Sequence, residues 1–384
     1  VIFPTSYVKV SNSLHGDITA SALPSLLCSL ESQGLALEQL LSDINGAQGR
    51  PPLSWFISDA FMPWTAAVAH KLQLSWIVFW TTSATRLHIV AKVLDREEID
   101  VEQLKHVQNF PGLPPEPSAN MYELLSLKDP VGLTLLKARV EAIRKADIII
   151  LNTFDALEEE AIKEMMPKLP IRSLGPLSVF ADAELVKALK ADDECTSWLD
   201  MQEEHSVLYI AFGNKVVLQG KALEQLAIAI ESSKMPFLWA LSTGDERLPE
   251  GFIERTKARS KIMSWAPQKR VLKHWAVGAF FTHCGWNSVV EAVVEGVPMI
   301  CWPTCTDQPT NKLLVERKWR IGSSIRPQVD TENIRQVIVD VMGNVSFRQR
   351  ASLLGASALS AVRQGDTSYH NFSSLMEQLK GGYG

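Results

Sequence analysis

The chain has 384 residues, of which 46% are hydrophobic and 21% charged, and its net charge at pH 7 is −5. That length suits two medium domains, and the composition is that of a globular chain with ample core. There is no basic run for a nucleic acid or an anionic membrane, and no apolar stretch reaches the length of a membrane span. Short apolar runs alternate with amphipathic ones from "PLSWFISDAF" onward. The order is "PLSWFISDAF" (strand), "PWTAAVAHKLQ" (helix), "LSWIVFWTT" (strand) and "ADIIILNTF" (strand). "SVLYIAFGN", "MPFLWAL", "KIMSWAP", "VGAFFTH" and "VPMICWP" follow as strands, with "KALEQLAIAIESS" and "SVVEAVVEG" between them as helices. This alternation predicts α/β architecture with parallel sheets covered on both faces. "RSLGPLSVFADAELVKALKADDECTSWLD" breaks the rhythm and reads as a connection between two α/β domains.

The five cysteines, Cys28, Cys195, Cys284, Cys301 and Cys305, are odd in number and scattered. They fit a reducing compartment and a cytoplasmic location. Cys301, Cys305 and His283 lack zinc spacing, and apolar neighbours favour core thiols. No G-x-G-x-x-G, H-E-x-x-H or D-x-D occurs. "GNKVVLQGKA" looks like a phosphate loop, but its glycine spacing is too long and Ala222 stands where Ser or Thr is needed.

The stretch His283-Cys284-Gly285-Trp286-Asn287-Ser288 lies between the strand "VGAFF" and a helix closed by Gly296. In open α/β sheets ligands bind at the carboxyl ends of strands. A helix N-terminus there favours an anion, and one glycine lets backbone approach it. His283, Asn287 and Ser288 add side-chain donors, which suits a diphosphate. The competing reading makes Ser288 and Glu291 a capping box, with His283 and Trp286 as packing residues. Adjacent strand-end residues point to opposite sides, so His283 and Cys284 do not form a dyad.

From Trp265 to Gln308 the chain reads "WAPQKRVLKHWAVGAFFTHCGWNSVVEAVVEGVPMICWPTCTDQ". This resembles the signature box of plant UDP-dependent glycosyltransferases over its whole length. "ADIIILNTFDALE", "SLGPL", "WLDMQEEHSVLYIAFGN", "LPEGFIERT" and "GDTSYHNFSSL" resemble further segments of these enzymes, in order. The resemblance implies the GT-B fold, two Rossmann-like domains facing a cleft, with donor held C-terminally and acceptor N-terminally. The corresponding division is 1–178 for the acceptor domain, 179–196 for the linker and 197–384 for the donor domain, whose last helix packs back on the first. It implies metal-independent inverting transfer from UDP-glucose to a small apolar acceptor, with no cofactor, nucleic acid or membrane partner, by a monomer.

Site roles follow from the resemblance. Trp265 would stack on uracil and the backbone of Ala266 would read its edge. Gln268 and Glu291 would bond the ribose. His283, Gly285, Asn287 and Ser288 would hold the diphosphate, with Asn214 of "AFGN" nearby in place of the usual Ser. Trp286, Asp307, Gln308 and Thr81 would meet the sugar, and Gln308 favours glucose. Cys305 stands where the family often carries an aromatic residue. Asp59 of "FISDAF" would orient a catalytic His, though a helix cap before "MPWTAAVAH" would also explain it. That His is expected upstream, on a β-α-β unit that this sequence lacks. His15 precedes a helix but sits at a different place from the base, and His70 reads as a surface helix residue. Phe61, Met62 and Trp64 are either acceptor contacts or core. A shortened, non-catalytic UDP-sugar-binding homologue is the alternative reading.

Overall fold

The computed structural model describes residues 23–47, 49, 51–94, 112–113, 130–180, 193–213, 220–241, 248–326 and 330–381. His15, Asn214 and most of "GNKVVLQGKA" lie outside the described residues, so their readings end with the sequence.

The elements follow in chain order: α1 Leu23–Gly46, β1 Trp55–Asp59, α2 Thr65–Lys71, β2 Ser75–Trp80, α3 Ala84–Leu94, α4 Pro130–Ile143, β3 Ile148–Leu151, α5 Asp155–Met165, β4 Ile171–Ser173 and α6 Leu177–Phe180. Then come α7 Asp193–Asp200, β5 Val207–Ala211, α8 Gly220–Ser233, β6 Phe237–Ala240, α9 Phe252–Thr256, β7 Ser260–Met263, α10 Gln268–Leu272 and β8 Val277–Thr282. The chain closes with α11 Trp286–Val294, β9 Met299–Cys301, α12 Gln308–Leu313, a π-helical turn Leu314–Lys318, β10 Gly322–Ser324, α13 Thr331–Gly343, α14 Val345–Ala361 and α15 Thr367–Gly381.

Two parallel sheets result. The first has four strands in the order β1-β2-β3-β4 and the second six in the order β10-β9-β8-β5-β6-β7. β5 and β8 are buried at every position, as central parallel strands must be when helices cover both faces. One face of the second sheet packs Tyr209, Phe280 and Val289, and the other packs Ile210, Phe281 and Ile338. The first sheet sets Phe56, Trp76 and Val78 against one layer, and Ile77, Ile148 and Ile150 against Phe372 and Leu375 of α15. α15 is also tied to that sheet by hydrogen bonds from Asn371 to the Ser173 carbonyl and from Arg172 to Gln378. The stretch read as a connection is structured at both ends. It contributes β4 and α6 on one side, and on the other α7, whose Cys195 and Leu199 enter the second core.

α11 begins earlier than the capping box requires. Its N-cap is Gly285, so Ser288 lies inside the first turn and caps nothing. The helix closes at Gly296, whose φ of 68° suits glycine, as the sequence indicated. Asp59 does not cap α2 either, since Trp64 holds that position; its carboxylate accepts from the Phe61 N–H at 2.8 Å. His70 is exposed on α2.

The segment 152–158 crosses the seam between the sheets. The Trp286 indole N–H donates to the Asn152 carbonyl at 2.9 Å, and that of Trp319 to the Leu157 carbonyl at 3.1 Å. Glu158 is fully buried, and its carboxylate accepts from the N–H groups of Ala84 and Thr85 at 2.9 and 2.8 Å. It therefore satisfies the first orphan donors of α3. The helix bearing it is kinked at that residue, where φ is −134°. Glu158→Ala would leave both N–H groups buried and unpaired. The expected loss is about 2 kcal/mol or more, read from urea unfolding, and an unchanged midpoint would contradict it.

Candidate donor and acceptor site

The carboxyl ends of both sheets face the same cleft. β7 ends at Met263, and beyond it Trp265 stands 55% exposed, which rules out a core-lid role for its ring. Ala266 behind it is buried. Gln268 opens α10 and turns toward α11. Its amide donates to Glu291 at 2.7 Å and to Ser288 at 3.1 Å, while its carbonyl accepts from the Tyr209 hydroxyl at 3.4 Å. Burial raises the Glu291 carboxyl above its ordinary range, with the Gln268 amide and Lys269 opposing the shift. The side chains of Gln268 and Glu291 therefore meet directly. The Ser288 hydroxyl also lies in this cluster.

The next loop, 283–285, follows β8. The His283 ring is closely confined: a Cβ at Gly213 would lie 3.0 Å from its Cε1, and one at Gly285 would lie 2.5 Å from its Nε2. A side chain at either position would collide with the imidazole. Burial pushes His283 down to about 4, against a weaker pull from Asp307, and its Nδ1 is buried without a partner. At neutral pH the ring is an uncharged donor or acceptor. Cys284 adopts φ 67°, is buried, and gives its carbonyl to the Asn311 amide at 2.9 Å. Burial raises its thiol, with Cys301 beside it, which marks an inert core cysteine. Asn287 is exposed at the helix start.

The side chain of Trp286, expected from the resemblance to meet the sugar, turns into the seam between the domains. Its ring is 2% exposed, bonded to Asn152 and packed 6.4 Å from the Trp319 ring. A buried indole with a satisfied N–H holds the seam, so any sugar contact from this residue is left to its backbone. Asp307 and Gln308 lie beyond β9, both buried. Asp307 accepts from Thr306 at 2.9 Å and from Asn311 at 2.6 Å. The Gln308 carbonyl gathers the N–H groups of Thr304 and Cys305 at 2.7 and 3.0 Å, leaving its amide 3.7 Å from the Cys305 sulfur. Cys305 is half-buried beside this group, not in the core.

From the first sheet, Asp59 ends β1 and Thr81 follows β2, both half-buried. Phe61 is half-buried and Met62 exposed, while the half-buried Trp64 packs against the core of the first domain. Two residues unremarked in the sequence join them. Arg86, in the first turn of α3, is 6% exposed and within electrostatic reach of Asp307. Arg139 on α4 lays its guanidinium 3.8 Å over the Phe61 ring, within reach of Asp59 and Arg86. Nothing in "SATRLHIV" or "LKARVEAI" sets these arginines apart from helix-surface ones. Their burial depends on which elements pack over them. Among the described residues no group of three His, Cys, Asp or Glu side chains could hold a metal ion, and no helix is long and apolar enough to cross a membrane.

Residues 141–359 match the family model of UDP-glucoronosyl and UDP-glucosyl transferases. The chain belongs to this family. It is 36% identical to myricetin 3-O-rhamnosyltransferase of Crocosmia x crocosmiiflora, over 86% of this chain and 75% of that one. It is 31% identical to 7-deoxyloganetin glucosyltransferase of Catharanthus roseus, over 93% of this chain and 81% of that one. Among solved structures, the Polygonum tinctorium UDP-glucosyltransferase that glucosylates indoxyl superposes with a TM-score of 0.83 at 25% identity, covering 95% of this chain and 84% of that one. Phytolacca americana UGT2, solved with UDP-2fluoro-glucose and pterostilbene, gives 0.79 at 27% identity, over 95% and 83%. The fold is thus that of the GT-B plant glycosyltransferases, as the resemblance implied.

The confinement of His283 has a measurable consequence. Its folded pKa lies below the unfolded value of about 6.5, so the neutral ring contributes stability above that pH. The contribution is lost as pH falls toward 4, and amounts to about 3 kcal/mol at most. Wild-type stability minus that of His283→Asn should therefore shrink between pH 6.5 and 4 in parallel urea titrations. A constant difference would mean that the ring titrates normally.

Proposed function

We propose that this glycosyltransferase moves glucose from UDP-glucose to a hydroxyl of a small apolar acceptor, with inversion and without a divalent metal. One observation carries the reading. The exposed Trp265, the Gln268–Glu291–Ser288 cluster, the 283–287 loop and the Asp307–Gln308 pair lie in succession along the carboxyl edge of one sheet. That order matches base, ribose, diphosphate and hexose. The UDP in solved relatives supports it.

In this reading Trp265 stacks on uracil and Ala266 offers backbone groups to its edge. Gln268 and Glu291 bond the ribose hydroxyls, with Ser288 adjacent. His283, Gly285 and Asn287 meet the diphosphate, together with Asn214. Asp307 and the Gln308 amide take paired hexose hydroxyls, and Thr81 approaches the sugar from the other domain. The acceptor hydroxyl attacks the anomeric carbon opposite the diphosphate, whose bond to that carbon breaks. Asp59 orients the histidine that takes the hydroxyl proton; no histidine is assigned to that place. The acceptor half spans 1–178, the linker 179–196 and the donor half 197–384. The free thiols support a reducing, cytoplasmic setting.

Calorimetry with UDP tests the donor site directly. Glu291→Ala should weaken UDP by about tenfold, the scale of one buried hydrogen-bond loss, and a chelator should change nothing. Equal affinity in the variant, or loss on chelation, would overturn the assignment. Binding of UDP-glucose with no product from any hydroxyl acceptor would favour a binding-only homologue.

The sugar end has its own test. Gln308→Ala should weaken UDP-glucose several-fold more than UDP, because only the hexose reaches that amide. Equal losses for the two ligands would remove Gln308 from the sugar site.

A further inference from the structure

Asp307 occupies the cap position of α12, yet its carboxylate makes no capping bond. An aspartate there ordinarily accepts from the N–H groups of the first helical turn. Here both oxygens are engaged elsewhere. Oδ1 accepts from the Thr306 hydroxyl at 2.9 Å, and Oδ2 accepts from the Asn311 amide at 2.6 Å. Asn311 lies one turn along the same helix and is completely buried. Its nitrogen also donates to the Cys284 carbonyl at 2.9 Å, in the loop after β8. That carbonyl needs only one donor, which a hydroxyl could supply. An amide nitrogen carries two hydrogens and so serves the carbonyl and the carboxylate together. The arrangement has a cost. The Asn311 Oδ1 is buried without a hydrogen-bond partner among the described residues, and an unpaired buried acceptor is destabilising. Satisfying Cys284 alone does not call for an amide here, whereas holding the Asp307 carboxylate away from the helix end does.

We propose that Asn311 and Thr306 are positioning residues of the sugar site, which clamp the two oxygens of Asp307 so that the hexose contributes to donor binding. A carboxylate held on both oxygens keeps one orientation, and its remaining lone pairs point in fixed directions toward a pair of hydroxyls. With either clamp removed, the carboxylate is free to turn toward the start of α12, as an aspartate in that position usually does. Neither clamp acts on the sugar directly; both act through Asp307. This inference rests on the proposed placement of Asp307 at the hexose and deepens it. A pair of residues needed only for folding would affect the bare nucleotide and the nucleotide sugar alike.

The test is calorimetry on the full chain with UDP and UDP-glucose, read as the ratio of the two affinities. Asn311→Ala and Thr306→Ala should each weaken UDP-glucose about fivefold more than UDP, the scale of one hydrogen bond. Thr306→Ser keeps the hydroxyl and should keep the wild-type ratio. Combining Asn311→Ala with Asp307→Ala should lower the ratio no further than Asp307→Ala alone, because the clamp works only through that carboxylate. Near-UV circular dichroism reports folding. Should Asn311→Ala not fold, the Thr306 variants decide, since Thr306 is only half-buried on its loop. A wild-type ratio in Thr306→Ala, or additive losses in the double variant, would overturn the proposal. Asp307→Ala separates the two levels. If it leaves the ratio unchanged, the hexose placement of Asp307 falls and the clamp with it. If it lowers the ratio while Asn311→Ala and Thr306→Ala do not, the placement stands and the clamp falls.

Discussion

The hydrogen bond from the Trp286 indole to the Asn152 carbonyl joins the loop of one sheet to the loop of the other. The cleft depends on it, because each loop lies at the carboxyl end of its own strand. The same short segment does four further things. Asn152 accepts from the Leu177 N–H through its side chain, Phe154 and Leu157 enter the core of the second domain, Leu157 accepts from Trp319, and Glu158 closes the N-terminus of α3. A polar segment can occupy a buried seam only if its donors and acceptors are matched, since an unmatched one forfeits the water it left. In this seam two indoles supply the donors, and their rings supply apolar area at the same time. That is why "NTFDALE" combines Asn, Phe, Leu and Glu in so few positions.

Placing Trp286 in the seam decides what its neighbours can do. With the indole turned inward at the start of α11, Asn287 is left outward at the helix N-terminus. The preceding backbone must turn sharply, and Cys284 takes the positive φ. Its carbonyl is then fixed by the Asn311 amide, which also bonds Asp307. The loop after β8 and the loop after β9 are therefore braced by one buried asparagine. A shift at either loop would be felt at the other, which is how a site built from loops keeps its geometry.

Much of this was readable in the residues. Strands buried on both faces show as unbroken apolar runs, and "VGAFFT" and "VLYIA" are such runs. The meeting of Gln268 with Glu291 was accessible only through the resemblance, since no local pattern links a loop to a helix beyond the next strand. Two features were hidden for one reason. Ser288 and Glu291 have capping-box spacing, but the spacing does not say where a helix starts, and α11 starts at Trp286. Trp286 sits among polar site residues, yet one-dimensional proximity does not say which side of the backbone a ring takes. Arg86 and Arg139 were illegible because their burial is imposed by packing between helices distant in sequence.

The electrostatics of the donor end follow from the same placement. In the proposed reading a diphosphate would bring negative charge to the 283–287 loop, where the His283 imidazole is neutral because its surroundings are dry and tight. Burial raises the carboxyl of Glu291, one turn further on, above its ordinary range, against the Gln268 amide and Lys269. In that reading the backbone dipoles at the start of α11, which need no counter-ion and do not reorganise, are directed at the phosphates. On the first domain, Arg86 lies within electrostatic reach of Asp307 and Arg139 within reach of Asp59.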